Sequence, residues 1–183
     1  MKARSPHPLA IPALALLASA TVSLHAAPLM IDDFSTDLAP TTASFTALDG
    51  TMLGGELDII IGLLDEATVE IAGGVLTLSG VTETSGPNNA QLIYDGNDNN
   101  STYALGLPDV DLTGGGTNDR FAIDLVSVTG TINVQVRVFE SASNYAELTA
   151  SGVTSAGILE FPFADFTHYG AGADFEAAKQ VAI

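Results

Sequence analysis

Thr131 to Glu140 reads TINVQVRVFE, and its alternation decides the fold class. Ile132, Val134, Val136 and Val138 fall on one side of an extended chain and Asn133, Gln135 and Arg137 on the other, because successive strand side chains point to opposite faces. A helix would scatter the four branched residues around its axis. Just upstream, RFAIDLVSV (Arg120 to Val128) sets Phe121, Ile123 and Leu125 on one side with Asp124 opposite. The intervening TGT, Thr129 to Thr131, has the length of a hairpin turn, so these two strands are expected to pair antiparallel.

The same design recurs in ATVEIAGGVLTLSG (Ala67 to Gly80), where Gly73 and Gly74 can take the positive φ values of a tight turn between Val69/Ile71 and Leu76/Leu78. Further strand candidates are LMIDDF, SFTAL, LDIII, AQLIY, NYAELTA and GILEF, separated by Gly, Pro, Asn and Asp. Helical signal is confined to GLLDEAT and to DFEAAKQ, where Asp174 can serve as an N-cap. Glycine recurs without a fixed period, which excludes collagen-like and solenoid repeats. The expected fold is all-β, an antiparallel two-sheet sandwich of jelly-roll type.

Met1 to Ala27 has Lys2 and Arg4 before an apolar run from Leu9 to Ala20, then small residues, the layout of a secretory signal peptide. Pro12 interrupts the run, which is shorter than the roughly 20 residues of a spanning helix. Cleavage is expected after Ala26, with Ala20 as the alternative, leaving residues 27–183 as one sandwich domain. That portion sets Arg120, Arg137 and Lys179 against all 22 carboxylates, so it repels phosphate backbones and anionic lipid, and nucleic acid is not an expected partner. With no cysteine there is neither disulfide nor thiolate chemistry, and the core alone must hold the fold.

The loop YDGNDNNS, Tyr94 to Ser101, puts Asp95, Asn97 and Asn99 at positions one, three and five of an EF-hand-like run, which makes them calcium candidates. Asn100 and Gly106 stand where that loop wants its glycine and its bidentate glutamate, so a turn stabilised by Asn and Asp is the leading reading. No motif points to another cofactor. DLTGGGTNDR (Asp111 to Arg120) lacks the lysine of a phosphate loop and reads as a sandwich loop. Asp32, Asp33, Glu56 and Asp58 are the carboxylates from which a glycoside hydrolase would draw its acid and base. His168 is alone outside the leader and reads as a surface or packing residue. For sugar contact the tyrosines Tyr94, Tyr103, Tyr145 and Tyr169 offer a ring and a hydroxyl. Tyr94 and Tyr103 flank the Asn-rich loop, and with Asn97 they mark the preferred ligand surface, whereas Phe161, Phe163 and Phe166 are expected in the core.

IDDFS, MLGGELDI, LIYDG, VDLTGGGTNDRFAIDL and FPFADF followed by ADFEAAKQVAI occur in an order that resembles exported β-sandwich proteins of Gram-negative bacteria carrying a PEP-CTERM sorting tail. The resemblance spans nearly all of Met30 to Ile183 and implies a jelly-roll related to carbohydrate-binding modules. It further implies export, association with exopolysaccharide or the outer surface, and no known reaction. Leu57 stands where relatives usually carry arginine, and the sorting tail that would engage a sorting machinery is absent from the sequence, so the sandwich domain is expected to be truncated at its C-terminal end. QVAI then reads as the start of a closing strand, with LMIDDF as an early strand whose open edge would promote self-association at high salt. The expectation is a non-catalytic secreted or surface-attached protein with weak polysaccharide contact. A glycan-active hydrolase and a purely structural surface protein are the alternatives.

Overall fold

The computed structural model describes residues 29–62, 67–79, 90–98 and 105–183. Twelve strands run through these residues: β1 (Leu38–Thr41), β2 (Phe45–Asp49), β3 (Glu56–Ile61), β4 (Thr68–Ala72), β5 (Val75–Ser79), β6 (Ala90–Tyr94), β7 (Arg120–Leu125), β8 (Ile132–Phe139), β9 (Tyr145–Val153), β10 (Gly157–Pro162), β11 (Thr167–Tyr169) and β12 (Gln180–Ala182). The only helical turns among the described residues are two short 3-10 turns, Leu53–Gly55 and Phe163–Asp165. Seven strands form one sheet in the order β11-β9-β8-β12-β6-β3-β2, while β1-β4-β5 and β10-β7 form two smaller sheets. Every pairing is antiparallel, so the chain is an all-β antiparallel sandwich.

Alternation explains which side of each strand is buried. Leu57 and Ile59 of β3, Tyr94 of β6, Val136 and Val138 of β8, Ala146 of β9 and Val181 of β12 all lie on one face of the large sheet, and none is more than 1 % exposed. They share one cluster with Val69 and Ile71 of β4 and with Phe121 and Phe161 of the β7–β10 pair, which form the facing layer. Burying a Leu, Ile or Val side chain contributes roughly 1.5–3 kcal/mol, the dominant favourable term in a chain without cysteine. Phe163, Phe166 and Phe175 close one end of this core, with Phe163 and Phe175 stacked at 4.6 Å.

Several sequence expectations are corrected by the pairing. β7 does not form a hairpin with β8: it pairs with β10, Phe121 opposite Phe161 and Ile123 opposite Leu159, and the chain then crosses to the other layer. Alternation marks an apolar face but does not name the strand beside it. LMIDDF is not a strand. Asp32 accepts from Phe34 N at 2.7 Å and Asp33 from Ser35 N at 3.0 Å, local bonds that compete with a ladder, and Phe34 takes φ 52°. The open edge expected there therefore does not exist. DFEAAKQ is not a helix either. Asp174 accepts from Glu176 N, and the next residues are drawn into the sheet by the Ala178–Val110 bridge and the bond from Lys179 N to Phe139 O. QVAI does form a strand, but one held on both sides, by β6 and by β8.

The Gly73–Gly74 turn is as read, with φ of 59° and 79° between β4 and β5. GLLDEAT falls largely on residues 63–66, outside the described residues.

Candidate functional site

The second face of the seven-stranded sheet is chemically unlike the first. Asp49 pairs with Glu56, Gln180 with Phe139, Phe139 with Tyr145 and Tyr145 with Tyr169. The registers of β6 with β3 and with β12, continued by one step, put Asp95 between Glu56 and Gln180. One row thus crosses the sheet from acidic residues through an amide to three aromatic rings, all pointing away from the main core. The next row on this face contains Asp58, Ile93, Ala182, Arg137, Glu147 and Thr167.

At the acidic end the row is buried. Glu56, Asp58 and Asp95 are each 1 % exposed, and Gln180 is 0 % exposed. The loop after β6 turns at Gly96, φ 105°, and comes back over the face: the Asn97 amide donates to Asp49 Oδ1 at 2.9 Å. Carboxylate oxygens of Glu56, Asp58 and Asp98 all lie within 4.8 Å of one another. Neither Asp58 oxygen accepts a bond from an N–H or O–H donor, and both amide atoms of Gln180 also lack a hydrogen-bond partner. The close neighbour of Asp58 is the carboxyl of Glu56, a contact that is favourable only when one of the two holds a proton. Burial first, then Glu56, Asp95 and Asp98, push Asp58 up to about 7.

The aromatic flank is more open. Tyr145 and Tyr169 stack at 4.6 Å and 10°, and Phe139 continues the stack at 5.3 Å and 27°. Arg137 lies with its guanidinium carbon 5.6 Å from the Phe139 ring. The Tyr169 hydroxyl donates to Glu147 at 2.9 Å, and that carboxylate raises the pKa of the tyrosine. Because the rings cover one another, the surface offers ring edges and hydroxyls, with Tyr169, 38 % exposed on the terminal strand β11, as its outermost ring.

The structure brings together some of the residues singled out in the sequence and disperses others. Tyr94 is not on a ligand surface. It is 1 % exposed on the core side, its hydroxyl donates to Asp32 at 3.2 Å, and burial raises its pKa further from the physiological range. Tyr103 and Asn99 lie outside the described residues. Asp32 and Asp33 are engaged in local turns, apart from Glu56 and Asp58 on the sheet. Asp95 and Asn97 both belong to the acidic end of the row, Asn97 through its bond to Asp49. Leu57 is wholly buried in the core, and DLTGGGTNDR is a loop in which Asp111 accepts from Thr113 N, Thr113 Oγ1 and Gly115 N.

Sequence reading missed Gln180 and Asp98. Gln180 could have been found as a polar residue in an apolar strand. Asp98 is brought in by a loop, and no periodicity marks it.

The fold and this face define an acidic antiparallel β-sandwich with a polar and aromatic sheet face. Compared with known proteins, the chain matches no family model, no curated protein and no solved structure.

Proposed function

We propose that the chain is a non-catalytic, exported β-sandwich of jelly-roll type that makes weak contact with polysaccharide through the flank of the seven-stranded sheet carrying Tyr145 and Tyr169. The observation that carries the proposal is the stacked row Phe139, Tyr145, Tyr169 on the sheet face away from the core. The outermost ring, Tyr169, and the ring edges of the row offer apolar contact to a sugar, while Glu147, Thr149 and Arg137 on the same face supply acceptors and a donor for hydroxyls. The abundance of carboxylates favours a neutral polysaccharide over an acidic one, since a uronate chain would meet like charge. Export rests on the leader-like Met1 to Ala26, and kinship with PEP-CTERM surface proteins rests on the motif order. Both agree with an extracellular glycan as the partner.

Hydrolysis is the second reading, because Asp58, raised to about 7 beside Glu56, has the protonation of a general acid paired with a carboxylate. Against it stands their burial, each 1 % exposed, which leaves no room for a glycosidic bond between them.

The test is affinity electrophoresis through gels containing neutral β-glucan, mannan or xylan, with a polyuronate gel as the acidic comparison. The expected result is retardation in at least one neutral gel, lost when Tyr145→Ala and Tyr169→Ala are combined and unchanged in Asp124→Asn on the opposite layer. No retardation in any gel would overturn the binding reading in favour of a purely structural surface protein. Release of reducing ends would establish the hydrolase.

A further inference from the structure

We infer that Glu56, Asp58 and Asp98 form a binding site for a hard divalent cation of the calcium class, with the Gln180 amide oxygen as a fourth donor from the same sheet face. Three carboxylates whose oxygens lie within 4.8 Å of one another match the separation of ligands sharing one ion. An acidic cluster alone would not be enough, since exposed carboxylates gather on many acidic proteins. Here two of the three are 1 % exposed, where water cannot screen their repulsion.

Two further observations point to a ligand. Asp58 has both oxygens buried with no donor besides the neighbouring carboxyl of Glu56, and Gln180, 0 % exposed, has an oxygen and a nitrogen without a partner. Buried polar groups are nearly always satisfied, so unpartnered oxygens on one face beside converging carboxylates are coordination-ready. The row order places Gln180 on the same face, one strand beyond Asp95 and two beyond Glu56, so that as a ligand its side chain would extend across β6 toward them.

The donor set selects the kind of ion. All of it is oxygen. The sequence has no cysteine, and His168 sits on β11 opposite core-facing Ala146, on the other side of the sheet. Zinc and copper would want nitrogen or sulfur, whereas calcium takes several carboxylate and amide oxygens in flexible geometry. Magnesium needs near-ideal octahedral placement and gives up its water reluctantly, so it should bind more weakly here. The ligand set differs from the run Asp95, Asn97 and Asn99 suggested by the loop alone: it joins two residues of one strand to one from the loop folded over it.

The experiment is calorimetric titration of the chelator-treated full chain with calcium chloride, and separately with magnesium chloride, in physiological salt, with a thermal melt at each end point. The expected result is one calcium per chain and a melting temperature that rises with calcium. Asp98→Asn, at an exposed position, should weaken binding on the order of tenfold or more by removing one ligand charge. Asp58→Asn should abolish binding while making the calcium-free protein no less stable, because it removes a buried charge and keeps the shape. Asp124→Asn, which loses the same charge on β7, should bind as wild type. No heat and no thermal shift up to about 10 mM calcium, or binding equally weakened by Asp124→Asn and Asp98→Asn, would overturn the assignment. The inference is independent of the glycan reading: the Tyr145→Ala/Tyr169→Ala protein should bind calcium unchanged.

Discussion

Asp58, 1 % exposed beside three other acidic groups, is disfavoured as a charged carboxylate. Its pKa moves from an ordinary 3.8 to about 7 in the folded, cation-free chain. The folded state therefore holds a proton that the unfolded state has released between these values, and stability must fall as pH rises from about 4 to about 7. Urea denaturation in chelator across that window should show the decline, and Asp58→Asn should flatten it. A curve that is already flat in the wild type would contradict the charge state assigned to Asp58. Tyr94 gives a second check. Tyr94→Phe removes the bond to Asp32 while keeping the ring in the core, and should cost about 1–2 kcal/mol by urea denaturation. Much of this was not legible residue by residue. Glu56 and Asp58 could be read as neighbours on one strand face from their spacing, but nothing in the sequence says that Asp98 folds back to them or that Tyr94 points inward. An alternating strand has two sides, and which one is covered depends on distant residues.

At the level of elements, what the sequence showed was type and what it hid was partnership. SFTAL, LDIII, AQLIY, NYAELTA and GILEF all became strands, and the Gly-Gly turn joined the two strands it was read to join. LMIDDF failed locally, through the bonds Asp32 and Asp33 accept two residues on, and the other failures are long-range. β7 and β8 are consecutive yet lie in different sheets, and β12, three residues long, is inserted between β8 and β6. Such a strand has little local stability and is held by both neighbours and by the bonds between Ile183 and Leu92. Hydrogen exchange should place its amides among the slowest in the chain, since they open only when the large sheet opens. Rapid exchange there, with β8 and β3 protected, would show that β12 is docked and not integral.

For the whole molecule, the two faces of the large sheet divide the tasks. One supplies the core shared with β4, β7 and β10, and the other gathers carboxylates at one end and stacked rings at the other. A surplus of 22 acidic over 5 basic residues keeps such a surface soluble and biases it against polyanions, but does not choose a partner. Composition made nucleic acid an unexpected partner for that reason, while the ring row became visible only once β8, β9 and β11 were set side by side. NMR mapping would show whether this second face is where a polysaccharide is met. Backbone amide shifts would be followed as a soluble neutral oligosaccharide, cut from whichever polysaccharide retards the protein, is added. The largest changes should fall on Arg137, Tyr145, Glu147, Thr149 and Tyr169. Changes centred instead on Ala122, Asp124, Ile158 and Glu160, across the outer surface of the β7–β10 pair, would contradict it.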